Sequence, residues 1–552
     1  MCDHSTHHLA VKLIASFLLS YPLAALLKRV PDEKPYLKNL FIVGVSSFYL
    51  VGLFDLWSGV RTLAVSSIGA YCIAQYVRGP FMPWIGFVFL MGHMSINHLT
   101  RQWANDPRAV DITGAQMVLV MKLTAFCWNV ADGCLPDEEL SDLQKERAIK
   151  ELPSLLDYAG YVLFFPSLFA GPAFDYVDYR YWIETTMFEV PAGVDPSKKA
   201  PTRKKRKIPR SGTPATWKAA TGLFWIVLFL QLSGWYYPDL LTGDEYLNHG
   251  FFHRVWILHM LGLTTRFKYY GVWALTEGAC ILSGLGYKGI DPVTGKVSWD
   301  RLRNVSPWGV ESAQNTRAYL GNWNINTNNW LRNYIYLRVT PRGKKPGFRA
   351  SMATFVTSAF WHGFYPGYYL SFVLASFVQT VAKSKAALHS LVTSSYIDID
   401  CRRYFRPFFL DAKTTQPTPA KIYYDICSYL VTQLAFSFIT APFVLLTLRA
   451  SFLVWARVYF YAVIGTAMAT AFFASPAKAC LTKKLNERSG NTGSVKKTNS
   501  QESLASKEPI LGLPSEPEKD MEELVSEVKA DMEARQRRGT VNRAATVPLS
   551  KD

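Results

Sequence analysis

Residues 353–372 read ATFVTSAFWHGFYPGYYLSF, and His362 is the one side chain in this run that changes charge near neutral pH. A helix of about 20 apolar residues, rising about 1.5 Å per residue, crosses the roughly 30 Å of bilayer hydrocarbon. An imidazole at that depth is costly unless a neighbour satisfies it or the protein uses it. Pro366 lies four residues after His362 and has no N–H to donate. A helix continuing through this point is therefore expected to kink and to leave the His362 carbonyl free. Gly363 and Gly367, four apart, let another backbone come close. A packing histidine held by a neighbouring carbonyl and a histidine that does chemistry are both consistent with these residues.

Working outward, the same apolar character recurs along the chain. Stretches long enough for spans or half-spans lie near 8–27, 38–56, 59–77, 81–97, 110–131, 157–176, 216–236, 252–266, 268–286, 350–365, 367–384, 424–446 and 452–476. Half of the 552 residues are apolar (49%) and only 18% are charged, with the charges confined to short stretches. This is the profile of one multi-span membrane domain, residues 1–477, and it excludes a string of soluble domains. The segment from 177 to 214 contains PSKKAPTRKKRKIPR, which has almost no side chains to build a core and is expected to be a disordered cytoplasmic loop. Residues 478–552 turn to Ser, Glu, Lys, Asn and Pro and are expected to form a disordered polar tail.

The net charge of +18 comes largely from short Lys/Arg clusters beside apolar segments, as at Lys28–Arg29 and between Lys198 and Arg210. Such clusters set topology by staying in the cytoplasm, which argues against nucleic-acid binding. Eight cysteines without a CxxC pair indicate neither a zinc site nor a disulfide framework, and no metal site is expected.

Between residues 287 and 347 the apolar spans give way to aromatic and asparagine-rich sequence. Irregular backbone at membrane depth is tolerated only where protein or a water-filled cavity covers it, so a buried site is expected there. Within it, GNWNINTNNWLRNYIYLRV, residues 321–339, places Asn324, Asn326, Asn328 and Asn329 between Trp323 and Trp330. An amide both donates and accepts, and Arg332 and Arg338 offer cations for a phosphate. By residue type alone an interfacial aromatic belt with polar caps is an equally good reading. His93 and His98 near Arg101, and His253, His259 and His389, are expected to be interfacial or packing residues.

WHGFYPGY, residues 361–368, resembles the signature around the catalytic histidine of the membrane-bound O-acyltransferase superfamily, in the version of its lysophospholipid acyltransferases. WNINTNNWL, 323–331, is similar to that family's upstream asparagine motif and places the catalytic asparagine on Asn324. QMVLVMKLTAFCWNVADG at 116–133, LFFPSLFAGPAFDY at 163–176 and KYYGVWALTEGACILSGLGYKG at 268–289 also match.

The resemblance implies an all-α integral membrane protein, a bundle of about eleven transmembrane helices around a central catalytic chamber, multi-pass in the endoplasmic reticulum. It implies transfer of a fatty acyl group from acyl-CoA to the free glycerol hydroxyl of lysophospholipids, with His362 and Asn324 as the catalytic pair and no cofactor beyond that co-substrate. Trp323, Asn328, Trp330 and Arg332 would line the substrates from the first motif. Trp361, Gly363 and Tyr368 would do so from the second, with Glu277 from the EGACILSG segment. A family member with a sterol, diacylglycerol or protein acceptor is the nearest rival, and a transporter with a polar pore is the next.

Overall fold

The computed structural model describes residues 4–104, 112–190, 200–204, 206–291, 294–340, 348–380, 405–411, 414 and 416–488. These are mostly helical, with irregular connections, a small hairpin pairing Gly289–Ile290 with Val297–Ser298 and two isolated bridges. The chain forms two compact units: Met1–Trp330 with Ser358–Ser371 and Ile426–Phe460, and Leu331–Thr357 with Phe372–Asp425 and Tyr461–Asp552.

The first unit begins with α1 (His4–Leu27), α2 (Pro35–Ser47), α3 (Trp57–Tyr76), α4 (Met82–Ala104) and α5 (Thr113–Gly133). Helix α5 is buried along almost its whole length and packs on α3 and α4. Its polar residues are few, and two at its centre are satisfied in place. Thr124 returns its hydroxyl to Val120 O at 2.7 Å, and Lys122 donates to Tyr161 O at 2.5 Å with its ammonium 4.4 Å from the Tyr161 and Phe174 ring centres.

Among the described residues the helices Gly212–Ser233 and Phe251–Ser283 form the most extensive helix pairing in this unit. They touch where both lack a side chain: a Cβ on Gly271 would stand 3.1 Å from Gly222 O and 2.6 Å from the Ile226 side chain. Gly271→Leu is expected to force them apart at a cost of about 1–3 kcal/mol. A thermal melt in detergent checks this, and an unchanged midpoint would contradict it.

Two expected spans, 252–266 and 268–286, are one helix of 33 residues. Nothing at the join breaks it: Phe267 is buried and Lys268 stays exposed with its ammonium 5.2 Å from the Tyr269 ring, and a lysine that snorkels in this way does not stop a helix. Four helices among the described residues are long and apolar enough to cross a membrane alone: Pro35–Leu53, Thr113–Gly133, Gly212–Thr242 and Lys421–Leu445. A fifth is added if the bent pair Leu448–Arg457 and Tyr461–Ala469 is one span.

The stretch 177–214, expected to be disordered, is ordered over much of its described part. Tyr176–Ile183 is a helix that buries Val177, Tyr179, Trp182 and Ile183, and Trp182 donates to Ser283 O at 3.1 Å. Farther on, Ile208 and Pro209 are buried, Lys28 donates to Pro209 O and, at 2.8 Å, to Ser211, and Arg206 donates to Arg29 O at 2.7 Å. The aromatic residues before the basic run and the two apolar ones inside it supply the core that charge counting overlooked. Residues 191–199 lie outside the described part.

In the second unit, a π-helical turn at Arg332–Tyr336 follows the asparagine motif. Tyr461–Ala474 and Ala477–Arg488 are helices, and Arg488 donates to Leu410 O at 3.0 Å. The expected polar tail thus starts as helix, and its residues 489–552 lie outside the described part.

Candidate active site

Helix Phe348–His362 ends on the histidine itself. Gly363 takes φ of +118°, the left-handed stop that a residue without Cβ provides, and Pro366 opens the next helix, Pro366–Thr380. The kink expected at Pro366 is therefore a helix end. Glycine closes one helix and proline, with its φ already set, begins the other, so His362 stands at a corner between two elements. Gly367 meets the expectation of close backbone approach: its N–H donates to Leu446 O at 2.7 Å, and a Cβ would collide with the Pro442 carbonyl.

The His362 ring is half-buried among aromatics, with centroids of Trp361 at 4.7 Å, Phe443 at 4.9 Å and Tyr368 at 5.8 Å. Beneath this corner lies His98 of α4, which sequence reasoning had set aside. Its Nε2 is 3.2 Å from Trp361 O, one of the carbonyls a helix C-terminus leaves without an intrahelical partner. A Cβ on Gly363 would stand 3.0 Å from His98 Nδ1. Gly363→Ala is thus strained twice, by its backbone and by the imidazole, and is expected to cost about 1–3 kcal/mol and to displace His362. Thermal stability and turnover rate read together check this, and a variant equal to wild type in both would contradict it.

Asn324 sits at the start of the short helix Ile325–Leu331 in the left-handed region, φ +45°, which asparagine tolerates better than most residues. Its carbonyl accepts the Asn328 N–H at 3.0 Å, and its Oδ1 accepts the Thr327 hydroxyl at 2.9 Å. Buried Asn304, which sequence reasoning missed, holds the turn from outside. Its carbonyl accepts Ile325 N–H at 2.7 Å and its Oδ1 accepts Asn326 N–H at 3.1 Å. A contact across 22 positions between two asparagines leaves no periodic signal in a sequence.

One stripe of α5 gathers both corners. Trp361 donates its indole N–H to Met117 O at 3.0 Å, Thr327 Oγ1 lies 3.4 Å from Met121 Sδ, and Trp330 donates to Thr124 Oγ1 at 2.8 Å. Positions 117, 121 and 124 lie on one face of a helix and span about 10 Å along it. The rings of Trp330 and Trp361 approach to 6.3 Å between centroids. The histidine and asparagine segments, distant in sequence, are thus docked about one helical turn apart on the same surface.

The remaining expected site residues have partners of their own. Trp323 packs with centroids 5.1 Å from Trp273, 5.7 Å from Tyr269 and 5.9 Å from Tyr270. Asn328 donates to Leu320 O at 2.9 Å and Trp323 O at 2.8 Å, tying its turn to the preceding one. Glu277 is buried against Lys218, Oε1 to Nζ 2.7 Å. Arg332 opens the π-turn of the second unit, and Arg338 there donates from Nε to Asn333 O at 3.3 Å. Arg342, Lys344 and Lys345, which with Arg332 and Arg338 are the basic residues expected near donor phosphates, and His389 lie outside the described residues. Among the described residues no group of three or more His, Cys, Asp or Glu is placed to hold a metal ion.

The model of the MBOAT, membrane-bound O-acyltransferase family matches residues 102–441, which contain both corners. The chain is 42% identical over 482 residues to the Lysophospholipid acyltransferase of Saccharomyces cerevisiae, covering 86% of this chain and 75% of that protein. It is 42% identical over 478 residues to the Lysophospholipid acyltransferase of Schizosaccharomyces pombe, covering 87% and 89%. With the human Membrane-bound glycerophospholipid O-acyltransferase 2 it shares 29% identity over 413 residues, 73% of this chain and 72% of that one. A histidine corner and an asparagine corner held on one buried helix, inside a matched region of this extent, mean that the chain belongs to the membrane-bound O-acyltransferase family.

Proposed function

We propose that this protein is a lysophospholipid acyltransferase that moves a fatty acyl group from acyl-CoA to the free glycerol hydroxyl of a lysophospholipid. The observation that carries this is the docking of the His362 and Asn324 segments on one face of α5. The two fungal relatives at 42% identity, both named for that reaction, support the lipid acceptor over a sterol, diacylglycerol or protein.

An alcohol attacks a thioester slowly until its proton has an acceptor. Neutral imidazole supplies one, a contribution of roughly 10²–10⁴-fold for a placed base. His362 takes the hydroxyl proton as the glycerol oxygen bonds to the thioester carbonyl carbon. The C–S bond then breaks, and coenzyme A leaves as thiolate and takes up the proton that His362 had accepted, which returns the imidazole to its neutral form. The Asn324 amide steadies the charge that develops on the thioester oxygen or holds the hydroxyl in line. Trp361, Tyr368 and Phe443 shield the imidazole. Arg332 and Arg338 are suited to the phosphates of the substrates. Direct transfer needs no metal, and no serine or cysteine stands in a nucleophile motif beside His362.

This reading includes a bundle of about eleven transmembrane helices around a chamber open to cytosol and bilayer, in the endoplasmic reticulum, since an anionic water-soluble donor head and two amphiphilic chains must meet there. Membranes carrying the protein, given labelled oleoyl-CoA and separate lysophospholipids of different head group, sterol and diacylglycerol, test it. Label is expected in diacyl phospholipid. Label in sterol ester or triacylglycerol alone, or none above background, would overturn it.

A further inference from the structure

Asn324 occupies the position of a helix N-cap yet does not cap. An asparagine there normally turns Oδ1 back onto the backbone N–H of the second or third helical residue. Here Asn304 has taken the N–H groups of Ile325 and Asn326, so the Asn324 side chain is released from that duty. Its Oδ1 instead accepts the hydroxyl of Thr327, which is 5% exposed and one turn along the same helix. That hydroxyl has a single hydrogen. Of the two acceptors near it, the amide oxygen is stronger than the Met121 thioether at 3.4 Å. That bond fixes the orientation of the amide, and Nδ2, on its other side, donates to no group among the described residues. Oδ1 keeps one lone pair, but an amide held in this orientation offers a substrate two unpartnered N–H hydrogens against that single lone pair.

From this we infer that Thr327 is a positioning residue that fixes the Asn324 amide with Nδ2 toward the substrate, so that Asn324 works as a hydrogen-bond donor to the thioester oxygen. The inference rests on the proposed role of Asn324 and selects between its two forms: stabilisation of the oxyanion, not reception of the acceptor hydroxyl. The thioester oxygen gains charge as the glycerol oxygen adds and gives it back as coenzyme A leaves, so a fixed donor helps most in the transition state and little in substrate binding.

The test is a kcat and KM series on purified, reconstituted enzyme with oleoyl-CoA and a lysophospholipid. Thr327→Val removes the hydroxyl at nearly constant volume. It is expected to lower kcat roughly 10–100-fold with KM within about threefold, a smaller loss than the 10²–10³-fold typical of deleting an oxyanion donor outright. Thr327→Ser keeps the hydroxyl and is expected to stay within about threefold of wild type. Added to Asn324→Ala, Thr327→Val is expected to cost nothing more. A wild-type kcat in Thr327→Val, equal impairment in Thr327→Ser, or a further full loss on the Asn324→Ala background would each overturn the inference. If Thr327→Val does not accumulate, Thr327→Cys serves, since a thiol is a weak donor: an intermediate kcat supports the inference and full activity overturns it. Asn324→Ala alone separates the two levels. Activity retained there removes the proposed role of Asn324 itself, whereas activity lost there with Thr327→Val unaffected removes only the role of Thr327.

Discussion

Replacing His362 by alanine is expected to lower acyl transfer roughly 10²–10⁴-fold, the contribution of a well-placed general base. The ring contributes packing against Trp361, Tyr368 and Phe443, but it is half-buried and not at the centre of a cluster, so the protein is expected to fold. The corner that presents it is held by other groups: Trp361 on Met117 O, His98 on Trp361 O and Gly367 on Leu446 O. A His362→Ala protein that elutes and melts like wild type yet transfers label only at that reduced rate is the expected combination. Transfer at the wild-type rate would mean that the imidazole only packs.

Asn324→Ala is expected to lose roughly 10²–10³-fold in kcat, the range seen when one preorganised donor to a developing oxyanion is removed. The structural cost should be small, because the helix start is capped by Asn304 and not by the Asn324 side chain. Alanine tolerates the left-handed backbone at position 324 less well than asparagine does, so Asn324→Gly is the companion variant. If the amide is what matters, glycine and alanine fall together. Recovery of activity in glycine would assign the effect to the backbone and count against the amide.

Much of this was legible in the sequence because it depends on residue type over short distances. The apolar runs announce a membrane protein, and the histidine within WHGFYPGY and the amides within WNINTNNWL mark themselves as polar groups in places that penalise them. Corners were harder to read. Glycine and proline around His362 fit both a kinked helix and two helices meeting. The sequence expectation took the first, and the structure has the second, because Gly363 reaches a φ of +118° that ends the helix outright. Long-range partners were not legible at all. His98 looked like an ordinary histidine at the end of a span, and its bond to Trp361 O joins residues 263 positions apart. The same is true of Asn304 beneath Asn324, and of Trp182, whose burial orders a stretch that its neighbouring lysines and arginines suggested was loose.

The central claim is that the imidazole and the amide serve one transition state, carried by segments that dock on neighbouring turns of α5. Single-turnover transfer by purified, reconstituted wild type, His362→Ala, Asn324→Ala and the double variant tests it most directly, because groups that act as a unit are strongly non-additive. The expected result is two large single losses and a double variant hardly slower than the worse single. Either single variant at the wild-type rate, or two losses that simply multiply, would contradict it.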